Sequence, residues 1–255
     1  MSLPASAAPP GPRPTRAQLL VTCLVDHFAP DAAEAVVQVL ERAGVEVIVP
    51  DGQTCCGQPA CNAGARADAA AMARHTIALL ERDPAPIVVP SGSCTDMLVH
   101  QAAALLADDP AWEARAREVA ARTYEFTQFA VDVLGLSPAC RGAGTIAYHA
   151  CCHGLRGLGI DAQPRHLLGT VDGAAVVALP EADTCCGFGG LFAVKLPDIS
   201  GAMLDRKCRQ IAASGADTIA VTDISCAMHM QGGLDRRGIA VTVRHIAEIV
   251  ADGAA

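Results

Sequence analysis

Aromatic residues are scarce in this 255-residue chain, which has one Trp, two Tyr and five Phe. It therefore has few platforms on which single-stranded bases could stack. Basic charge is also in deficit, with 19 Lys and Arg against 27 Asp and Glu and a formal net charge of -8. No Lys/Arg cluster relieves this, so a phosphate backbone would be repelled and nucleic acid is an unsuited partner. No apolar run approaches the roughly 20 residues that cross a bilayer. Residues 1–16, rich in Pro, Ala and Ser, have no apolar core long enough for a signal peptide and read as a disordered tail. These absences describe a soluble protein, expected in the cytoplasm. No Gly-x-Gly-x-x-Gly follows a strand pattern, which removes the usual dinucleotide fingerprint.

Cysteine is what the chain does have, 12 in all, yet no two are spaced Cys-x-x-Cys. A chain of this length with 51% hydrophobic residues can bury a core without disulfide staples, so its thiols need another explanation. They follow a pattern that occurs twice: Cys23, Cys55-Cys56-Gly57, Cys94, then Cys152, Cys185-Cys186-Gly187, Cys226. The single-to-pair intervals are 32 and 33 residues, and the pair-to-last intervals are 38 and 40. Thiols needed only for packing would share no spacing, whereas eight spaced alike in two halves can hold soft metal centres.

Apolar runs at 19–24, 45–50, 87–89, 145–148, 175–179 and 218–221 read as strands. Helical patterns over about 31–43 and 65–82 separate the first three, and 110 to about 134 reads as one long helix. Alternation of strand and helix predicts an α/β fold of two tandem, internally repeated halves, 17–139 and 140–255, each with a parallel sheet. Each cysteine of the pattern falls at the end of a predicted strand or after one, and ligands collect at the carboxyl ends of parallel strands. One pocket per half is expected.

Neighbouring side chains in an extended strand point to opposite faces, so a vicinal pair reaches one centre only from a tight turn. Gly57 and Gly187 can supply it through positive φ, and glycine-exposed N–H groups can stabilise thiolate charge. Iron–sulfur clusters and zinc both suit four thiolates, but structural zinc sites usually draw on short knuckles that are missing here. Direct thiol–disulfide chemistry at the vicinal pairs, or a metal-stabilised docking scaffold, are the alternatives of other classes.

The segments Thr22-Cys-Leu-Val-Asp-His-Phe28, Cys55-Cys-Gly-Gln-Pro59, Pro90-Ser-Gly-Ser-Cys94, Arg122-Thr-Tyr-Glu125, Cys185-Cys-Gly-Phe-Gly-Gly190, Val194-Lys195 and His245-Ile-Ala-Glu248 resemble the CCG-domain family of iron–sulfur proteins. That family includes the B subunit of heterodisulfide reductase and the iron–sulfur subunit of glycolate oxidase. The resemblance implies electron transfer in a multiprotein system that oxidises L-lactate to pyruvate, or another 2-hydroxy acid such as glycolate. A companion ferredoxin-like iron–sulfur protein and a third protein are the implied partners, and the chain alone is expected to be inactive. The family's fullest pattern ends each half in Cys-x-x-Cys. Here Ser91 and Asp223 stand in for the first of those cysteines, leaving four thiolates per half, enough for a 4Fe-4S cubane in each.

Cys151 and Cys61 are candidate extra ligands, although a packed thiol is the simpler state for each. Cys140 and Cys208 carry less significance still. His149, His153 and His229 flank second-half cysteines and suit hydrogen bonding more than ligation. Asp26, His27 and Lys195 fall in loops near the expected pockets and read as solvated.

Overall fold

The computed structural model describes residues 12–252. The expected tail lies largely outside them, and the first strand opens at Arg16. Ten strands follow in order: β1 (Arg16–Leu19), β2 (Glu46–Ile48), β3 (Ile87–Val89), β4 (Thr123–Glu125), β5 (Cys140–Arg141), β6 (Thr145–Tyr148), β7 (Val171–Asp172), β8 (Ala175–Val177), β9 (Thr218–Val221) and β10 (Thr242–His245). They form two four-stranded sheets, β2-β1-β3-β4 and β8-β6-β9-β10, and a small β5-β7 pair. All pairings are parallel, with Gln18 opposite Ile87 in the first sheet and Ile146 opposite Thr218 in the second. The two sheets share one strand order, so the duplication seen in the cysteines is a duplication of topology.

Helix Pro30–Arg42 shows how sequence fixes a layer. Pro30 occupies the first turn, where its missing N–H is not needed, and Gly44 at φ 79° ends the helix. Ala32, Ala35, Val36, Val39 and Leu40 recur on one face and are buried, and each of the larger three contributes about 1.5–3 kcal/mol of burial.

The long helix expected over 110–134 is not continuous. It runs Pro110–Ala120, gives way to β4, and resumes as a short helix Phe126–Gln128 that widens over Phe129–Val133. Pairing with β3, Val88 opposite Tyr124, overrides the local helical pattern. Its counterpart β10, in the alternating Val241-Thr-Val-Arg244 stretch, is likewise not among the expected strands.

The halves are not separately packed. Helix Ile246–Asp252, from the end of the second half, packs on helix Pro30–Arg42 of the first, where the Arg42 guanidinium donates to the Ala251 carbonyl at 2.8 Å. Helix Phe126–Gln128 reciprocally packs on Ala162–Gly169 of the second. One buried cluster accordingly mixes Leu19, Val36, Leu40, Phe126 and Phe129 with Ile146, Leu167, Leu168, Ile246 and Val250. Cys140 lies in this shared core, and Cys208 in the core of the second half. No helix among the described residues is long and apolar enough to cross a membrane.

Candidate metal centres

The carboxyl ends of β3 and β9 meet head to head, joined by an antiparallel bridge between Ser91 and Asp223. The Gly92 N–H donates to the Thr222 carbonyl at 3.1 Å. A Cβ on Gly92 would lie 3.1 Å from the Gly154 nitrogen, so the backbones meet as closely as glycine permits. Ser91 Oγ donates to Asp223 Oδ2 at 3.0 Å and the Ser93 N–H to the same oxygen at 2.9 Å. Each residue also caps the helix that starts its own half's last ligand segment. Ser91 Oγ accepts from the Cys94 N–H at 3.3 Å, and Asp223 Oδ1 from the Ser225 N–H at 3.1 Å. The positions that break the Cys-x-x-Cys pattern thus tie the two halves together. A Ser or Asp ahead of a helical run is a cap signal, but nothing in the sequence says the two caps touch.

The vicinal pairs turn as expected. Gly57 has φ 90° and Gly187 φ 96°, and a Cβ on Gly187 would lie 2.8 Å from the Ser200 carbonyl oxygen. Within each half the thiols form a chain of contacts. In the first, Cys23 and Cys56 hydrogen-bond to Cys55, and Cys56 Sγ lies 3.1 Å from Cys94 Sγ. In the second, Cys152 and Cys186 hydrogen-bond to Cys185, and Cys186 Sγ lies 3.3 Å from Cys226 Sγ. In both, the first two members are half-buried and the last two buried.

Hydrogen bonds accepted from its neighbours hold Cys55 down at about 2, and Cys185 likewise at about 2. Those donors are pushed up in turn: Cys23, Cys56 and Cys152 by the bond to the thiolate and by burial, and Cys186 mainly by its bond to Cys185. In each quartet it is thus the first cysteine of the vicinal pair whose thiolate form the neighbours favour. The Gly187 N–H lies 3.4 Å from Cys185 Sγ, the backbone donor expected of the turn.

Where one pocket per half was expected, the head-to-head junction places both quartets on one cavity of about 260 Å³. Gln58, Ser93, His153, Phe188 and Ser225 are among the other residues of its wall, and Cys151 is among the lining thiols. Cys61, on helix Gln58–Asn62, packs instead beside the first half's core.

His153 is held across the junction, its Nδ1 2.8 Å from Asp96 Oδ2, which pushes it up. His229 Nε2 lies 3.4 Å from Ser200 Oγ, and burial pushes it down. His149 is fully buried and neither ring nitrogen has a partner. Burial lowers it to about 4. Asp26 and His27 lie in a side cleft beside Cys23 and Cys55, while Lys195 is exposed.

Three further groups were not among the candidate site residues, although Glu125 and His245 belong to segments that carry the family resemblance. Lys207, 1% exposed, donates to the Glu181 carbonyl at 2.8 Å; burial lowers it, and the charge of Cys186 opposes that. Glu125, at the end of β4, is fully buried, and burial raises it to about 7 although Oε2 accepts from the Thr127 N–H at 2.7 Å. His245 is its counterpart at the end of β10, with Nδ1 accepting from the Ala247 N–H at 3.2 Å.

Among known proteins, the CCG cysteine-rich domain matches residues 17–99 and 146–231. Lactate utilization protein A of an Exiguobacterium species is 45% identical over 237 residues, covering 92% of this chain and 96% of that protein. The Halalkalibacterium halodurans protein of the same name is 42% identical over 236 residues, again 92% and 96%. In fold, the chain is similar to the crystal structure of a hypothetical protein from Helicobacter pylori, with TM-score 0.60 and 12% identity, covering 99% of this chain and 52% of that one. The chain thus spans about half of that larger structure. With one thiol quartet in each matched half and relatives that align from end to end, this chain belongs to the CCG cysteine-rich domain family.

Proposed function

We propose that the chain is the iron–sulfur electron-transfer subunit of a multiprotein system that uses lactate, oxidising L-lactate to pyruvate. The observation that carries the reading is the meeting of two like-spaced thiol quartets on one cavity. The spread of the donors supports iron–sulfur over zinc. A tetrahedral zinc with Zn–S of about 2.3 Å needs its thiolates about 3.8 Å apart from one another. Among the described residues, the only three donors that all lie within 4.8 Å of one another are His149, Cys151 and Cys226. In each quartet one pair of sulfurs is in contact, Cys56–Cys94 at 3.1 Å and Cys186–Cys226 at 3.3 Å, but no three of the four gather closely enough for a single zinc.

Cys23, Cys55, Cys56 and Cys94 would hold one centre, and Cys152, Cys185, Cys186 and Cys226 the other. Such clusters, when bound, accept and release single electrons. The residues of the chain do the rest. The glycine turns aim both vicinal sulfurs inward, the Gly187 N–H stabilises thiolate charge, and the Ser91–Asp223 junction holds the two centres on one cavity. The relatives named for lactate utilisation supply the substrate assignment, and the lack of a dinucleotide motif supports a subunit that works beside a ferredoxin-like iron–sulfur protein and a third protein in the cytoplasm.

Anaerobic purification followed by iron and acid-labile sulfide analysis and electron paramagnetic resonance of the reduced protein tests this. About eight irons, four per cubane core, are expected. Colourless protein fully occupied by zinc would refute it.

A further inference from the structure

The two halves share fold and quartet but differ in what surrounds the second vicinal pair. The first strands β1 and β6 correspond at a constant offset that also brings Cys23 onto Cys152. At that offset Thr22 and Leu20 of the first half occupy the places of Cys151 and His149. Behind the pairs, a Cβ on Gly57 would meet Met72 and one on Gly187 would meet Met203, so the facing helices correspond as well. Four residues further on, Thr76 in the first half stands where the second has the buried Lys207.

All three differences point at one place. Cys151 is 2% exposed, lines the shared cavity, and its sulfur lies within 4.8 Å of Cys226 Sγ and of a ring nitrogen of His149. The His149 ring is buried with both nitrogens unpartnered. A buried N–H without an acceptor is costly, and a thiolate on a metal core is an acceptor. Lys207 adds a buried cation beside the same pair, where one more thiolate would add an anion.

Building on the iron–sulfur reading, we propose that Cys151 is a fifth thiolate ligand of the second centre, with His149 donating to its sulfurs. The two centres of this chain are therefore chemically unequal: four thiolates hold the first and five the second. Extra anionic ligation lowers a reduction potential, so the second centre is the harder of the two to reduce, by an amount that Lys207 moderates.

The test compares the wild-type protein with Cys151→Thr, which gives the second half the first half's residue, and with Cys208→Ser, which removes a thiol of equal burial from the same core. Anaerobic redox titration followed by electron paramagnetic resonance is expected to show two distinct signals in the wild type. In Cys151→Thr, one signal changes shape and its midpoint rises toward the other, while Cys208→Ser leaves both as they were. Unchanged signals in Cys151→Thr, or the same change in Cys208→Ser, overturn the proposal. Should Cys151→Thr not fold, paramagnetically shifted cysteine β-protons in the wild type decide, nine sets supporting the proposal and eight overturning it. Wild-type protein without iron and sulfide is a different result, one that removes the underlying reading.

Discussion

Replacing Gly187 by alanine is the sharpest test of how the turn builds the second centre. The residue has φ 96°, and the new Cβ would lie 2.8 Å from the Ser200 carbonyl oxygen and 2.9 Å from Met203 Cβ. A side chain in left-handed backbone costs about 1–2 kcal/mol. Forcing helix Pro197–Ser214 away adds about 1–3 kcal/mol of overpacking. The same displacement stretches the bond that Ser200 Oγ donates to the Gly187 carbonyl at 2.8 Å, worth about 1 kcal/mol. A loss of about 3–6 kcal/mol follows from these terms. Gly238→Ala is the control, since Gly238 has φ 64° but nothing within 4 Å of its Cβ position, and it should cost only the backbone share of about 1–2 kcal/mol. Anaerobic urea denaturation gives both numbers, and metal and sulfide analysis follows the second centre. Gly187→Ala should lose about half the bound metal. If it keeps its full content and unfolds with Gly238→Ala, the turn does not set the site.

Three other outcomes follow from the same geometry. Asp223→Ala leaves the Ser91 and Ser225 hydroxyls and the N–H groups of Ser93 and Ser225 without their acceptor; a loss of about 3 kcal/mol is expected in urea denaturation, and a change under 1 kcal/mol would contradict the junction's role. Glu125 is raised by burial from 4.5 to about 7, so the stability it contributes is complete below pH 4.5 and is lost as pH rises to about 7. On that basis Glu125→Gln should flatten the stability profile across this window by about 3 kcal/mol, and a profile parallel to the wild type refutes the shift. Cys55→Ser removes one sulfur of the first quartet's vicinal pair; it should halve the iron while the signal of the second centre survives, and loss of both centres would show that they do not load independently.

The fold class and the placement of the quartet thiols after strands were legible because strong local signals carried them. Strands β3, β6 and β9 stand where their β-branched runs place them. The vicinal turns were readable because only glycine tolerates the backbone that Gly57 and Gly187 adopt. What escaped was everything that depends on contact between distant segments. Strand β4 was hidden inside a helical pattern because its stability comes from β3. The meeting of Ser91 with Asp223 spans 132 residues and turns two expected pockets into one. Lys207 looks like any helix cation until the fold buries it beside Cys186.

Because each half lends its terminal helix to the other, neither could stand alone. A fragment ending near residue 139 would bare the apolar side of Pro30–Arg42 and leave Phe126 and Phe129 facing water. A symmetric pair of such modules could cover those faces by exchanging the helices, and a single chain holds the two together covalently. Severed polypeptides 12–139 and 140–252, each insoluble when produced separately, should reconstitute a one-to-one complex on coexpression.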